Sequence, residues 1–150
     1  MIHIPDGFLS APVWAVLDAA AIPAVGAAVG RMEKRMREGQ APLLGVMGAF
    51  VFAAQMMNFP VGLGTSGHLL GGMLLAVALG PGAATVVWTA ILILQALIFQ
   101  DGGLLALGAN IFNMAVVGVW AGWLPYRNLA AGNWRKAGIF LGAFLSVLAT

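Results

Sequence analysis

The chain has 150 residues, 61% hydrophobic and 8% charged, with a mean hydropathy of +0.96. Average globular chains carry roughly 25% charged residues, so a water-soluble globule is excluded, and high hydropathy excludes disorder. The net charge of +2 comes from Lys and Arg confined to residues 31–37 and 127–136, which is how cytoplasmic loops of membrane proteins are marked and not how a nucleic-acid-binding face is built. With no cysteine, disulfides, thiolate metal sites and cysteine nucleophiles are excluded.

The chain opens Met1-Ile2-His3-Ile4-Pro5-Asp6-Gly7, with no Lys or Arg before Arg31. A secretion signal begins with a basic stretch, so this start is expected to be retained. Apolar runs then predict helices over residues 10–30, 43–57, 69–79, 83–99, 104–124 and 137–150. At 1.5 Å per residue the first crosses a ~30 Å hydrocarbon layer, with Pro12 suited to its start and Pro23 predicting a kink. Turn formers at 58–67, Gly80-Pro81-Gly82 and Gln100-Asp101-Gly102-Gly103 separate the later runs. The last run is short for a full span. The expected fold is an all-α, polytopic transmembrane bundle of about six helices, one integral membrane domain over residues 1–150 with an N-terminal segment 1–9.

Placing both basic segments in the cytoplasm requires an even number of helices between them, and four are counted. The N-terminus, segment 58–68 and segment 100–103 then share the outer face, and the Pro81 turn lies inside. Glycine pairs at four-residue spacing (Gly26/Gly30, Gly67/Gly71, Gly118/Gly122, Gly138/Gly142) predict close helix contacts, within the chain or with another subunit.

Both histidines, His3 and His68, fall on that outer face. The Met1 amine, the Ile2 and His3 amides and the His3 imidazole offer four nitrogens in a plane, which suits Ni(II) or Cu(II) better than tetrahedral Zn(II). His68 is then axial or supporting; with one local donor fewer it supplies the fourth. Asp6 reads either as a turn residue or as support for His3. Asp18, mid-span in the first helix, costs roughly 2.5–3.5 kcal/mol on insertion scales and is expected to face inward, towards Gln95, Asn110 or Asn113. Gly64-Thr65-Ser66-Gly67 permits a second reading, an intramembrane serine hydrolase using Ser66, which needs a histidine from another helix. A third is a non-transporting scaffold built on the glycine faces. Met47, Met56 and Met57 read as packing residues.

Three blocks carry a resemblance: residues 1–9; Gln55-Met56-Met57-Asn58-Phe59-Pro60 with Gly64-Thr65-Ser66-Gly67-His68-Leu69-Leu70-Gly71-Gly72; and residues 95–103 with Ala106-Leu107-Gly108-Ala109-Asn110-Ile111-Phe112-Asn113-Met114. In this order they resemble the CbiM/NikM family, the substrate-capture subunits of energy-coupling-factor cobalt and nickel transporters. The family usually has His directly after Met, where Ile2 intervenes here, and it continues for further helices. The resemblance implies a Co(II) or Ni(II) cargo, no catalytic cofactor and no enzymatic activity. It implies metal donors at Met1, Ile2, His3 and His68, with Asp6, Asn58, Thr65, Ser66 and Asp101 supporting. It also implies a prokaryotic plasma membrane, a transmembrane coupling subunit, a small accessory membrane subunit and a cytoplasmic ATPase pair.

Overall fold

The computed structural model describes residues 3–36, 39–57, 59–62, 65–130 and 134–150, without the side chains of Val61, Thr65 and Ser66. Among them are six helices: α1 Ala11–Arg35, α2 Ala41–Met56, α3 Gly72–Leu79, α4 Pro81–Ile98, α5 Leu107–Leu129 and α6 Arg135–Leu148. Three of these, α1, α4 and α5, are long and apolar enough to cross a membrane.

The helix ends differ from the apolar runs for identifiable reasons. α1 runs through Pro23 and continues to Arg35, with Lys34 and Arg35 in its last turn. Cations there offset the negative end of the helix dipole. α5 likewise continues through Pro125 to Leu129 with Arg127 in its last turn, and residues Ile111–Gly118 within it are wound as a π-helix. Pro81 opens α4 at the first helical position, where its missing N–H costs nothing.

Two features were not expected. The turn formers after α2 pair across themselves as an antiparallel hairpin, β1 Phe59–Gly62 and β2 Thr65–Gly67, with a bulge between Pro60 and Gly62. α3 is only 8 residues long and begins at Gly72, after Gly71 in the left-handed region at φ 71°. A Cβ on Gly71 would run into Val51 and lie 3.3 Å from Trp88, so the non-helical backbone is buried in protein. Irregular backbone at membrane depth is tolerated in that setting.

The polarity of the bundle agrees with the charge rule. Arg31 and Arg35 of α1, the Gly80–Pro81 turn and Arg127 of α5 line one cavity at one end, while the N-terminal segment packs on the loop before α5 at the other. α4 is the axis: 61% of its span is buried against 11% for α1, and Trp88 is buried with Leu75, Val51, Met114 and Val119.

Lipid supplies little hydrophobic drive for helix association, so close approach carries it. α5 and α6 meet at Gly122 and Gly142: a Cβ on Gly122 would lie 2.7 Å from the Gly142 carbonyl oxygen, and one on Gly142 2.6 Å from that of Gly122. Gly118 meets Thr150 and Gly138 meets Leu129. These glycines pack within the chain, whereas Gly26 and Gly30 face open space. Gly142→Leu is therefore expected to lower stability by about 1–3 kcal/mol through overpacking, and Gly26→Leu to leave it unchanged. Thermal unfolding of the two variants in one detergent checks the contrast.

Candidate metal centre

The N-terminal segment folds back into the mouth of the bundle. Polar contacts hold it there. The Ile4 N–H donates to Asn110 Oδ1 (2.8 Å) and the Ile4 carbonyl accepts from Asn110 Nδ2 (3.0 Å), so one carboxamide pairs with a peptide unit as a neighbouring strand would. The same carbonyl accepts from the Gly103 N–H (3.0 Å). Asp6 accepts from the backbone N–H groups of Leu104, Leu105 and Ala106 at 3.1, 2.8 and 3.3 Å. A carboxylate at this position also meets the positive end of α5. A Cβ on Gly103 would run into Asp6.

This anchoring buries His3, which is 3% exposed. Its Nδ1 lies 2.9 Å from Asp101 Oδ1, but among the described residues neither buried ring nitrogen makes a directed hydrogen bond. Asp101 is set by its own N–H donating to the Gln95 carbonyl (3.0 Å) and by Gln100, the one non-glycine among the described residues at positive φ, 53°. At Gly102, φ 104°, a Cβ would lie 3.3 Å from His3 Cβ. The His68 ring is tilted 35° from that of His3, with centroids 5.8 Å apart. His68 is half-buried, and its Nδ1 is 3.1 Å from the Leu69 carbonyl oxygen.

Beneath the imidazoles lies a layer of carboxamides. Gln95, fully buried on α4, donates to Gln55 Oε1 (2.8 Å), and Gln55 donates to the Leu70 carbonyl (3.4 Å). Together these residues present two imidazoles backed by one carboxylate, a donor set suited to a divalent transition metal. Among the described residues no three His, Asp or Glu side chains converge with ligand spacing.

A family model described as "Cobalt uptake substrate-specific transmembrane region" matches residues 3–150. The chain belongs to the CbiM family. It is 40% identical over 147 residues to "Probable fused nickel transport protein LarMN" of Lactiplantibacillus plantarum, covering 97% of this chain and 45% of that protein. It is 35% identical over 151 residues to "Cobalt transport protein CbiM" of Acetoanaerobium sticklandii, covering 99% and 62%. A crystal structure described as a truncated transition metal transporter superposes with a TM-score of 0.84 at 39% identity, covering 99% of this chain and 72% of that one. The chain spans about half the length of the first of the relatives it matches.

In this CbiM-family chain His3, His68 and Asp101 come together at one mouth. Asp6 is not the carboxylate facing His3: it anchors the segment by capping residues 104–106, and Asp101 faces the ring. Met1, Ile2 and Asn58 lie outside the described residues, and of Thr65 and Ser66 only the backbone, in β2, is described. Asp18 pairs with none of its three expected partners, because Gln95 is taken by Gln55, Asn110 by Ile4, and Asn113 donates to the Thr150 carbonyl (2.7 Å). Its Oδ1 is buried without a partner among the described residues, packed on Gly108 beside an apolar cavity of about 450 Å³ that Thr89 also lines. Sequence reasoning missed Asn110 as the clamp on Ile4, although an Asn in an apolar run must find a partner.

Asn110→Leu leaves the Ile4 N–H without its acceptor, at about 1–3 kcal/mol, and leaves the Ile4 carbonyl with the Gly103 N–H as its remaining donor. Hydrogen exchange at Ile4 and Gly103 is expected to accelerate at least tenfold while that of α4 stays unchanged. Unaltered exchange at Ile4 would show that Asn110 does not hold the segment.

Proposed function

We propose that this chain is the metal-capturing subunit of an energy-coupling-factor importer for Co(II) or Ni(II), and not an enzyme. The observation that carries the reading is the burial of His3 beside His68, its ring nitrogens without hydrogen-bond partners among the described residues, at the end of the bundle away from the basic residues. By the positive-inside rule that mouth faces outward and the N-terminus enters it from outside. The protein is a multi-pass component of a prokaryotic plasma membrane. The names of its relatives as cobalt and nickel transport proteins support the cargo.

The remaining donors are the Met1 amine and the backbone nitrogens of Ile2 and His3. The recorded ring orientation supports an imidazole that presents Nε2 to the ion while Asp101 sits behind Nδ1. A chelate through His3's own amide uses Nδ1 instead, because amide nitrogen, Cα, Cβ, Cγ, Nδ1 and the ion then close a six-membered ring. The sequence contains no Gly-x-x-x-x-Gly-Lys phosphate loop, so energy comes from partners: a cytoplasmic ATPase pair acting through a transmembrane coupling subunit, with a small accessory membrane subunit. No observation among the described residues favours the Ser66 hydrolase or the scaffold.

Purified chain in detergent is expected to hold stoichiometric Co(II) or Ni(II) by elemental analysis. His3→Ala and His68→Ala are each expected to weaken binding at least 100-fold, and a tag fused before Met1 to abolish it while membrane insertion persists. Stoichiometric metal in the His3→Ala/His68→Ala double variant rejects the reading. Asp101→Asn is expected to lower affinity about 10–100-fold if Asp101 backs the ring; unchanged affinity assigns Nδ1 to the ion. Amine, amide and imidazole donors bind only after losing protons, so metal retention is expected to fall between pH 8 and pH 5.

A further inference from the structure

At the opposite end the structure holds a cavity of about 460 Å³ that capture of the ion does not use. Arg31, Lys34 and Arg35 from α1 and Arg127 from α5 line it, with no acidic side chain among its lining residues. Among the described residues none of the four cations is paired with a carboxylate: Arg31 Nη1 donates to the Ala27 carbonyl (3.3 Å), and its guanidinium lies 5.6 Å from the Trp120 ring centroid. The first turn of α4 reaches the same cavity at Gly82 and Ala83, and the backbone N–H groups of a helix's first turn have no intrahelical acceptor.

The other wall is apolar. Leu43 and Leu44 of α2, Leu79 of α3 and the indoles of Trp120 and Trp123 contribute to it, and Leu43 is 45% exposed. The cavity therefore joins a cationic rim to an apolar flank on which Leu43 stays exposed. A free phosphate or a soluble nucleotide has nothing to place on that flank. A phospholipid has acyl chains to lay there and a phosphodiester for the rim. Basic pockets between membrane helices on the cytoplasmic side bind anionic headgroups.

We infer that this cavity is a binding site for the phosphodiester headgroup of an anionic membrane phospholipid, held by Arg31, Lys34, Arg35 and Arg127. The inference rests on the orientation proposed above, which puts this end in the cytoplasmic leaflet. Charge across the chain fits it: residues 31–40 and 127–136 carry seven cations and two carboxylates, net +5, and the remaining acids, Asp6, Asp18 and Asp101, lie outside these segments. Glu33 belongs to the same stretch of α1 but does not line the cavity.

The test is native mass spectrometry of the full chain carried in mixed phosphatidylcholine and phosphatidylglycerol. Preferential retention of phosphatidylglycerol is expected. Arg31→Gln/Arg127→Gln is expected to weaken retention at least tenfold, and Arg135→Gln/Lys136→Gln, equally basic but outside the cavity, less than twofold. Equal losses in the two pairs would show diffuse attraction and overturn the site. So would displacement of the lipid by an equal concentration of inorganic phosphate, or unchanged retention in the cavity pair. Should the cavity pair fail to fold, brominated phosphatidylglycerol must quench wild-type tryptophan fluorescence more than brominated phosphatidylcholine does, and equal quenching overturns the inference. Co(II) or Ni(II) binding is expected to survive in both pairs, so a fault in the metal reading registers separately.

Discussion

The exchange of two hydrogen bonds between the Asn110 carboxamide and the peptide unit of Ile4 ties the start of the chain to the buried part of the bundle. Ile4 is only half-buried and Pro5 and Asp6 are exposed, so apolar burial gives residues 3–6 little reason to sit in the mouth. Their backbone groups are accommodated because Asn110 answers both polar groups of one residue and Gly103 adds a third bond. Asp6 fixes the far end of the segment on three consecutive N–H groups. With Ile4 and Asp6 pinned, His3, the residue just before them, is held inward, against Asp101 and near His68. Three distant stretches thus make one site, and the contact that organises it involves neither imidazole.

The helices were legible because their apolar runs are long and their breaks hold Gly and Pro. The common end of Arg31, Pro81 and Arg127 was legible too, since helix parity and the distribution of Lys and Arg are independent signals. The hairpin was not. Phe59–Gly62 and Thr65–Gly67 are four and three residues long, too short for alternation to announce pairing, and turn formers there read simply as a break. α3 was overestimated because hydropathy continues through Leu69 and Leu70, while the left-handed backbone at Gly71 is a local geometry that hydropathy does not register.

At the site, the meeting of His3 and His68 followed from topology and from the family resemblance. The choice between Asp6 and Asp101 as the partner of His3 did not, because nearness in sequence favours Asp6. The outcome turns on the loop 99–103, where positive φ at Gln100 and Gly102 turns the chain back towards the N-terminus. Asn110 and Gln95 could be flagged as needing partners, since an unsatisfied amide in an apolar surround costs several kcal/mol. Sequence alone names Asp18 as the obvious claimant for them. The structure instead gives Asn110 to Ile4 and Gln95 to Gln55, and seats Asp18 against Gly108.

The carboxamide layer explains how a polar mouth can stand on an apolar bundle. Gln95 is fully buried on α4, and its bond to Gln55, passed on to the Leu70 carbonyl, joins α4, α2 and the irregular backbone that follows His68. The Gln95 carbonyl in turn accepts from the Asp101 N–H, so the helix that supports one side of the mouth also positions the carboxylate behind His3. Below this layer the core closes on the buried side chains of Trp88, Leu75 and Val51. On the proposed orientation, a cation drawn to the acidic mouth meets this packed floor, and the net positive charge of residues 31–40 and 127–136 at the far end opposes its onward passage.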